Sequence, residues 1–206
     1  MKSQCVRFHF IWYSINSIHT PDQVANHLYC GAKVVGGHEP ALKFLEDNKS
    51  DFKIRRTKRL AVSGAFHTPL MAPALEVFSS AVAQTRLVTM NCDQKDLNAV
   101  RFTDPRIPIY TNVTGEIVTK GVKVQKNLTK QLVQAVRWET AVNNLFKVNL
   151  FICNGQRSSI PYLLLPQIGP NDRPPMVYEC GPGQTLSAML GKINGRAASN
   201  CQFIAV

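Results

Sequence analysis

The sequence lacks the spacing of metal-binding cysteines and has no long apolar run. Its six cysteines, at positions 5, 30, 92, 153, 180 and 201, include no Cys-x-x-Cys pair. This scatter is typical of reduced thiols in an intracellular or organellar protein, and it predicts no zinc site. No window of about 18 consecutive apolar residues exists, so we predict no membrane-spanning helix. With 12 glycines and 12 prolines among 206 residues, collagen-like and wholly disordered chains are also excluded.

Acidic residues are scarce. The chain has 13 aspartates and glutamates against 24 lysines and arginines, which gives a formal net charge of +11 and a pI of about 9.6. Such a surface attracts phosphates, nucleic acids, anionic membranes or acidic proteins, and charge alone does not choose among them. The most basic run, residues 53–59 (KIRRTKR), has no accompanying aromatic or glycine pattern of an RNA-binding module, which disfavours nucleic-acid binding.

Hydrophobic periodicity predicts strands that alternate with helices. Strands are predicted over residues 32–37, 60–63, 106–113 and 176–180. Helices are predicted from Glu39, after Pro69, over 127–147 and over 184–193. This alternation indicates an α/β fold with a mainly parallel sheet. Residues 1–20 show no sustained helical or strand period, and no element is predicted there.

His67 is the strongest single candidate for chemistry. It follows a predicted strand, lies in the turn 64–69 (GAFHTP), and precedes a predicted helix. In α/β proteins, ligands and catalytic groups collect where strands end. Two interpretations stay open on position alone: a histidine satisfied within its loop, and a general base that takes a proton from a nucleophile and returns it to a leaving group.

Five motifs in order resemble those of one enzyme family. They are residues 34–38 (VVGGH), 62–71 (VSGAFHTPLM), 110–113 (YTNV), 130–139 (KQLVQAVRWE) and 178–183 (YECGPG). Each is modest alone, but their order resembles the malonyl-CoA:acyl carrier protein transacylases, and the mitochondrial branch in particular. The likeness covers roughly residues 22–147 and 168–206.

The resemblance implies an incomplete α/β-hydrolase-like acyltransferase core, with the remnant of a ferredoxin-like inserted subdomain. On this basis, residues 21–60 are the remnant of the small subdomain and 61–206 the C-terminal part of the core, while 1–20 are unmatched. Residues 148–167 are an insertion relative to the family. We hypothesise that they are a retained intron, the alternative being a lineage-specific loop.

The resemblance also implies a reaction. Malonyl moves from coenzyme A to acyl carrier protein through a serine acyl-enzyme in mitochondrial fatty acid biosynthesis, with His67 as the base. A main-chain carbonyl near Gln131 orients the imidazole, and Asn112 lies nearby. The partners implied are malonyl-CoA and acyl carrier protein, with the coenzyme A thioester as substrate, no bound cofactor and no metal. Neither a nucleic acid nor a membrane is expected as a partner.

The sequence departs from the family in its nucleophile. None of its eleven serines lies in a Gly-x-Ser-x-Gly context, which forms the nucleophile elbow of such enzymes. The family's early Gly-Gln-Gly segment and the arginine that binds the malonyl carboxylate are also absent. We therefore expect the chain to be inactive alone. The alternatives are a non-catalytic carrier-protein-binding pseudoenzyme and a truncated gene-model product.

Two further sets of residues are candidate anion contacts. Arg55, Arg56, Lys58 and Arg59 precede His67 and are predicted to contact acyl carrier protein or the phosphates of coenzyme A; a solvated basic face is the alternative. The second candidate anion contact is the turn 181–183 (GPG), which precedes a predicted helix. Either this turn holds an anion at the N-terminus of that helix, or it only reverses the chain.

Overall fold

A computed structural model describes residues 3–10, 24–84, 102–153 and 176–204. The strands are β1 (Ser3–Phe10), β2 (Val24–Tyr29), β3 (Ala32–His38), β4 (Ile54–Arg59), β5 (Ile109–Tyr110), β6 (Ile117–Val118), β7 (Val177–Cys180) and β8 (Cys201–Ile204). The helices are α1 (Glu39–Asp47), α2 (Leu75–Gln84), α3 (Gly121–Lys130), α4 (Trp138–Cys153), α5 (Thr185–Ile193) and α6 (Gly195–Ala198), and a 3₁₀ helix covers Pro69–Ala74.

The largest sheet has four antiparallel strands in the order β2-β3-β1-β4. Alternate side chains of a strand point to opposite faces, so the sheet has two buried faces. The buried cluster that includes helix α1 consists of Val6, Phe8, Val35, Leu42, Leu45 and Ile54. The other buried cluster consists of Cys5, Ala25, Leu28, Ala32 and Val34, with Leu60 and Met189 packed against it.

Strand β1 corrects the expectation that residues 1–20 contain no strand. It lies inside the sheet, paired with β3 on one side and β4 on the other. Cys5, Val6 and Phe8 are all buried, so apolar side chains occupy both faces and the period-two signal is weak. Its partners also lie far along the chain. The proposed division at residues 20, 60 and 147 stays a prediction.

The expectation of a mainly parallel sheet is wrong for the described residues. There, β7 and β8 form a parallel pair, whereas β5 and β6 pair antiparallel, as do all neighbours in the largest sheet. Strands β2 and β3 are joined by a short hairpin turn at residues 30–31, with Gly31 at φ 80°. A hairpin joins antiparallel strands, whereas parallel strands require a longer crossover.

Three predicted elements have different bounds in the structure. The strand expected over 60–63 is instead the basic run itself, β4, because Ile54 packs in the core beside β1. The strand expected over 106–113 is reduced to the two residues of β5. The helix expected over 127–147 is two helices, α3 and α4, separated by the segment 131–137, which leaves the helical path to contact β2 and His67.

The remaining predicted elements are confirmed with small shifts. Helix α1 begins at Glu39 with a proline in its first turn, and β3, β7 and α5 lie where periodicity predicted them. The helix before the proposed insertion continues to Cys153, and residues 154–167 lie outside the described residues. Among the helices that the structure describes, none combines the length and apolar character needed to cross a bilayer.

Candidate active site

The loop that carries His67 is buried around the histidine. Gly64, Ala65 and Thr68 are buried, and Thr68 Oγ1 donates a hydrogen bond to the Ala65 carbonyl at 2.6 Å. His67 itself is half-buried and adopts a φ of 64°. A non-glycine residue in this left-handed region is uncommon, and such strain persists where surrounding contacts determine the backbone.

Two main-chain carbonyls of the segment 131–137 hold His67. The His67 backbone N–H donates to the Leu132 carbonyl at 3.0 Å. Its ring Nδ1 lies 2.6 Å from the Gln131 carbonyl oxygen. A carbonyl oxygen only accepts, so Nδ1 must carry the hydrogen, and in the neutral ring Nε2 keeps the lone pair. The geometry therefore leaves Nε2 as the basic nitrogen.

The accepting carbonyl at Gln131 belongs to the C-terminal end of helix α3. Gln131 is the C-cap of that helix, and the last carbonyls of a helix have no partner within it. The imidazole N–H supplies a partner for one of them.

His67 opens onto a cavity of about 590 Å³. The residues that line it are Val24, His67, Pro69, Ala72, Leu75, Val113, Val133, Gln134, Ala135 and Arg137. Seven of the ten lining residues are apolar, and the others include one imidazole and one guanidinium, a composition that fits an organic anion with an apolar portion. None of these described lining residues is a serine, threonine or cysteine.

Asn112 contributes its backbone near this cavity. Its side chain is exposed, and its carbonyl accepts a hydrogen bond from the Arg137 backbone N–H at 2.8 Å. The neighbouring Val113, not Asn112, is among the cavity's lining residues. Asn112 therefore holds the end of the segment 131–137 in place, and a direct contact with His67 is not among its hydrogen bonds.

The four predicted anion contacts separate into two kinds. Arg55, Arg56 and Lys58 are exposed on β4. Arg59 instead donates to Glu46 and Glu39, each at 2.6 Å, and to Gln4 at 3.2 Å. The hydrogen bond to Glu46, then that to Glu39, raises the pKa of its guanidinium above the usual value. Arg59 therefore links β4 to α1, and its role as a ligand contact stays a prediction.

The helix after the turn 181–183 already has an anion at its N-terminus. Glu179 on β7 accepts hydrogen bonds from the Leu186 and Ser187 backbone N–H groups of α5 at 2.8 and 2.7 Å. Burial acts to raise the pKa of this carboxyl, but the N–H groups of Leu186 and Ser187 outweigh it, and the pKa is lowered. The carboxylate at the N-terminus of this helix is therefore supplied by the chain itself, from Glu179.

A mostly buried ion pair near the site was not predicted from the sequence. Lys33 on β3 pairs with Glu139 on α4 at 2.9 Å, with both side chains less than one-fifth exposed. His27 on β2 lies next to this pair and donates its backbone N–H to the Val136 carbonyl at 2.8 Å. Burial, and then the charges of Lys33 and Arg137, lower the pKa of His27 from 6.5 to about 4.

Replacing His27 by glutamine is expected to make stability less dependent on pH. Because the folded pKa of about 4 lies below the unfolded value of 6.5, the unfolded state binds more protons between these values. Folding stability is therefore complete above pH 6.5 and falls as the pH is lowered toward 4. Allowing for partial solvent exposure, we expect a loss of about 1 kcal/mol at pH 5 relative to pH 7 that His27→Gln removes.

Urea unfolding of the natural chain and of His27→Gln at pH 7 and pH 5 measures this loss of stability. The contributions of carboxylates, which titrate in both proteins, cancel in the comparison. Parallel pH dependences of the two proteins would refute the assignment to His27.

Two residues that line the cavity were also not predicted from the sequence. Arg137 and Val133 line the cavity, but the segment that carries them was expected to be helical. The available signal was the bulky run 132–138 (LVQAVRW), of which Leu132 and Val136 fit the buried side of a helix. Among the described residues, no group of three or more histidine, cysteine or acidic side chains comes together as metal ligands.

The chain is similar to transacylases over most of its length. It is 37% identical over 177 residues to the probable mitochondrial malonyl-CoA-acyl carrier protein transacylase of Drosophila melanogaster, a match that covers 86% of this chain and 38% of that protein. It is 31% identical over 175 residues to the mitochondrial malonyl-CoA-acyl carrier protein transacylase of Homo sapiens, covering 85% and 36% respectively. The chain therefore spans less than two-fifths of the length of these relatives. No protein-family profile matches it.

Solved structures show the same fold. The malonyl CoA-acyl carrier protein transacylase of Coxiella burnetii superposes with a TM-score of 0.67 at 18% identity, covering 99% of this chain and 53% of that one. A malonyl-transacylase in complex with a type II polyketide synthase acyl-carrier protein superposes with a TM-score of 0.64 at 19% identity, covering 100% and 55%. The expected incomplete α/β acyltransferase fold is thereby confirmed.

Proposed function

Since this chain is a homologue of the mitochondrial malonyl-CoA-acyl carrier protein transacylases over 86% of its length, we propose that His67 is the general base of malonyl transfer from coenzyme A to acyl carrier protein. One observation carries the proposal: the 2.6 Å contact between His67 Nδ1 and the Gln131 carbonyl. It sets the tautomer whose free nitrogen, Nε2, accepts a proton beside the cavity. Gln131 acts through its main chain.

The chemistry needs a hydroxyl that the described cavity does not supply. In the proposed first half-reaction, Nε2 takes the proton of a serine hydroxyl as the serine oxygen bonds to the thioester carbonyl carbon. The carbon–sulfur bond then breaks, and the imidazolium returns the proton to the coenzyme A thiolate. The second half-reaction runs in reverse with the thiol of the carrier protein. None of the eleven serines lies in a Gly-x-Ser-x-Gly context, so we propose that this chain alone forms no acyl-enzyme.

The proposed partners are anionic, and the exposed cations favour them. Malonyl-CoA carries phosphates, and acyl carrier protein is the partner named for the superposed malonyl-transacylase complex. Arg55, Arg56 and Lys58 stay exposed on β4, where they can increase the rate of encounter with an acidic partner. By likeness to the relatives named mitochondrial, we propose that the chain acts in mitochondrial fatty acid biosynthesis.

A second candidate function is binding of acyl carrier protein without catalysis. The exposed side chains of Arg55, Arg56 and Lys58 favour this function as well. It predicts that the chain binds acyl carrier protein whether or not His67 is present. Supplying a nucleophile distinguishes the two candidate functions. Malonyl transfer requires the His67 imidazole, whereas binding of acyl carrier protein does not.

The test is a transfer assay in two forms of the protein. The purified chain is incubated with malonyl-CoA and then with the thiol form of acyl carrier protein, and mass spectrometry follows malonyl on both proteins. We expect no malonyl adduct from the chain alone. We expect malonyl-acyl carrier protein when the N-terminal portion of the Drosophila relative precedes the chain. Turnover by the chain alone would reveal an unforeseen nucleophile, and a folded but inactive fusion would contradict the proposal.

A further inference from the structure

We propose that Gly36 of strand β3 is a positioning residue for His67 and acts through Thr68. The proposal deepens the proposed function, because the imidazole it positions is the proposed base. The experiment measures the hydrogen bonding of the His67 ring and not malonyl transfer. The role of Gly36 can therefore be refuted while the proposed function stands, or supported while transfer activity is absent.

The position of Gly36 leaves no room for a side chain. A Cβ at residue 36 would lie 2.8 Å from Thr68 Cγ2 and 3.2 Å from Ala65 Cβ. Atoms that are not bonded do not approach to 2.8 Å without displacement, so the buried loop would have to shift. The next residue gives the contrast: a Cβ at the equally buried Gly37 would meet Leu42 at 3.5 Å, an ordinary contact.

The displaced group is coupled directly to the histidine. Thr68 follows His67 in the chain, is 1% exposed, and donates to the Ala65 carbonyl at 2.6 Å. This bond closes the turn of residues 65–68, with His67 inside it at a φ of 64°. A push on the Thr68 methyl group therefore moves the turn as a unit, and His67 with it.

The sheet and helix α3 hold the turn from two sides. On the sheet side, the space that a Cβ of residue 36 would occupy borders Thr68 and Ala65, and the Cys5 thiol donates to the Gly64 carbonyl at 3.5 Å. On the other side, the Gln131 and Leu132 carbonyls accept from His67 at 2.6 and 3.0 Å. A shift of the turn changes both the length and the angle of these bonds, and hydrogen bonds weaken steeply when the angle at the hydrogen falls below about 120°. The absence of a side chain at residue 36 therefore sets how closely Nδ1 approaches Gln131.

The experiment is nuclear magnetic resonance of the full chain with ¹⁵N-labelled histidine. In the natural chain we expect His67 to show a protonated Nδ1 and an unprotonated Nε2, with the Nδ1 hydrogen protected from exchange. In Gly36→Ala we expect that hydrogen signal to be lost and the two tautomers to interconvert. In Gly37→Ala, the matched control, the His67 signals should match those of the natural chain.

A compensating substitution makes the assignment specific. Thr68→Ser removes Cγ2 and keeps the hydroxyl that bonds to Ala65, so Gly36→Ala combined with Thr68→Ser should restore the protected Nδ1 signal. This double variant also covers the case in which Gly36→Ala alone does not fold. Unchanged His67 signals in a folded Gly36→Ala, or a folded double variant without the protected signal, would overturn the proposal.

Discussion

Replacing His67 by alanine is expected to lower kcat/KM for malonyl transfer by about 10³-fold in the fusion with the N-terminal portion of the Drosophila relative. The imidazole has a fixed tautomer because Nδ1 donates to the Gln131 carbonyl, and the base nitrogen is therefore available to each half-reaction. Removing it leaves the nucleophile without a proton acceptor. Initial rates of malonyl-acyl carrier protein formation at several malonyl-CoA concentrations measure the loss.

Gln131→Ala in the same fusion is the matched control. The contact with His67 is made by the main-chain carbonyl, which alanine keeps, so we expect kcat/KM close to that of the unsubstituted fusion. If Gln131→Ala loses as much activity as His67→Ala, the side-chain amide and not the carbonyl orients the ring. If His67→Ala keeps most of the activity, His67 is not the base.

Replacing Gly121 by alanine is expected to destabilise the chain by about 3 kcal/mol. Gly121 is the buried first residue of α3, and a Cβ there would overlap the Phe102 carbonyl oxygen and lie 2.5 Å from that of Thr103. These are backbone atoms, so no rotamer change relieves the overlap. The Gly121 N–H also donates to Asp104 at 3.0 Å, which fixes its position. Urea unfolding followed by circular dichroism measures the effect.

Gly195→Ala is the control for that substitution. Gly195 is likewise the first residue of a helix, α6, but a Cβ there would meet nothing within 4 Å. Because alanine has less conformational freedom in the unfolded chain, we expect a small gain in stability of about 0.5 kcal/mol. Equal effects of the two substitutions would show that helix propensity, not the backbone overlap, governs Gly121.

The part of the fold that depends on local pattern was predictable from the sequence. Helix α1 combines a proline in its first turn with buried Leu42 and Leu45, and α5 has its buried Leu190. Contacts three and four residues apart determine such elements, so their signal lies within a short window. The five ordered motifs that indicated the transacylase family are local in the same sense, and the recognition is confirmed.

Elements that depend on distant partners were not predictable. Strand β1 is stabilised by pairing with β3 and β4. Its last residue, Phe10, lies 22 residues before the start of β3 at Ala32 and 44 residues before the start of β4 at Ile54. The segment 131–137 has an apolar pattern compatible with a helix, yet it leaves the helical path where Val136 exchanges hydrogen bonds with Ala25 and His27 on β2. In both cases tertiary pairing outweighs local preference.

By itself the sequence determined that His67 lies in a glycine-containing turn, that the chain is strongly basic, and that no serine has the context of a nucleophile elbow. Only the tertiary structure decided which atoms meet. His67 and Gln131, 64 residues apart, share a hydrogen bond; Arg59 is paired with Glu39 and Glu46 of helix α1; and Gly36 leaves space for Thr68. Residue types and short-range spacing specify local conformation, whereas hydrogen-bond partners and close contacts depend on where folding brings distant backbone segments together.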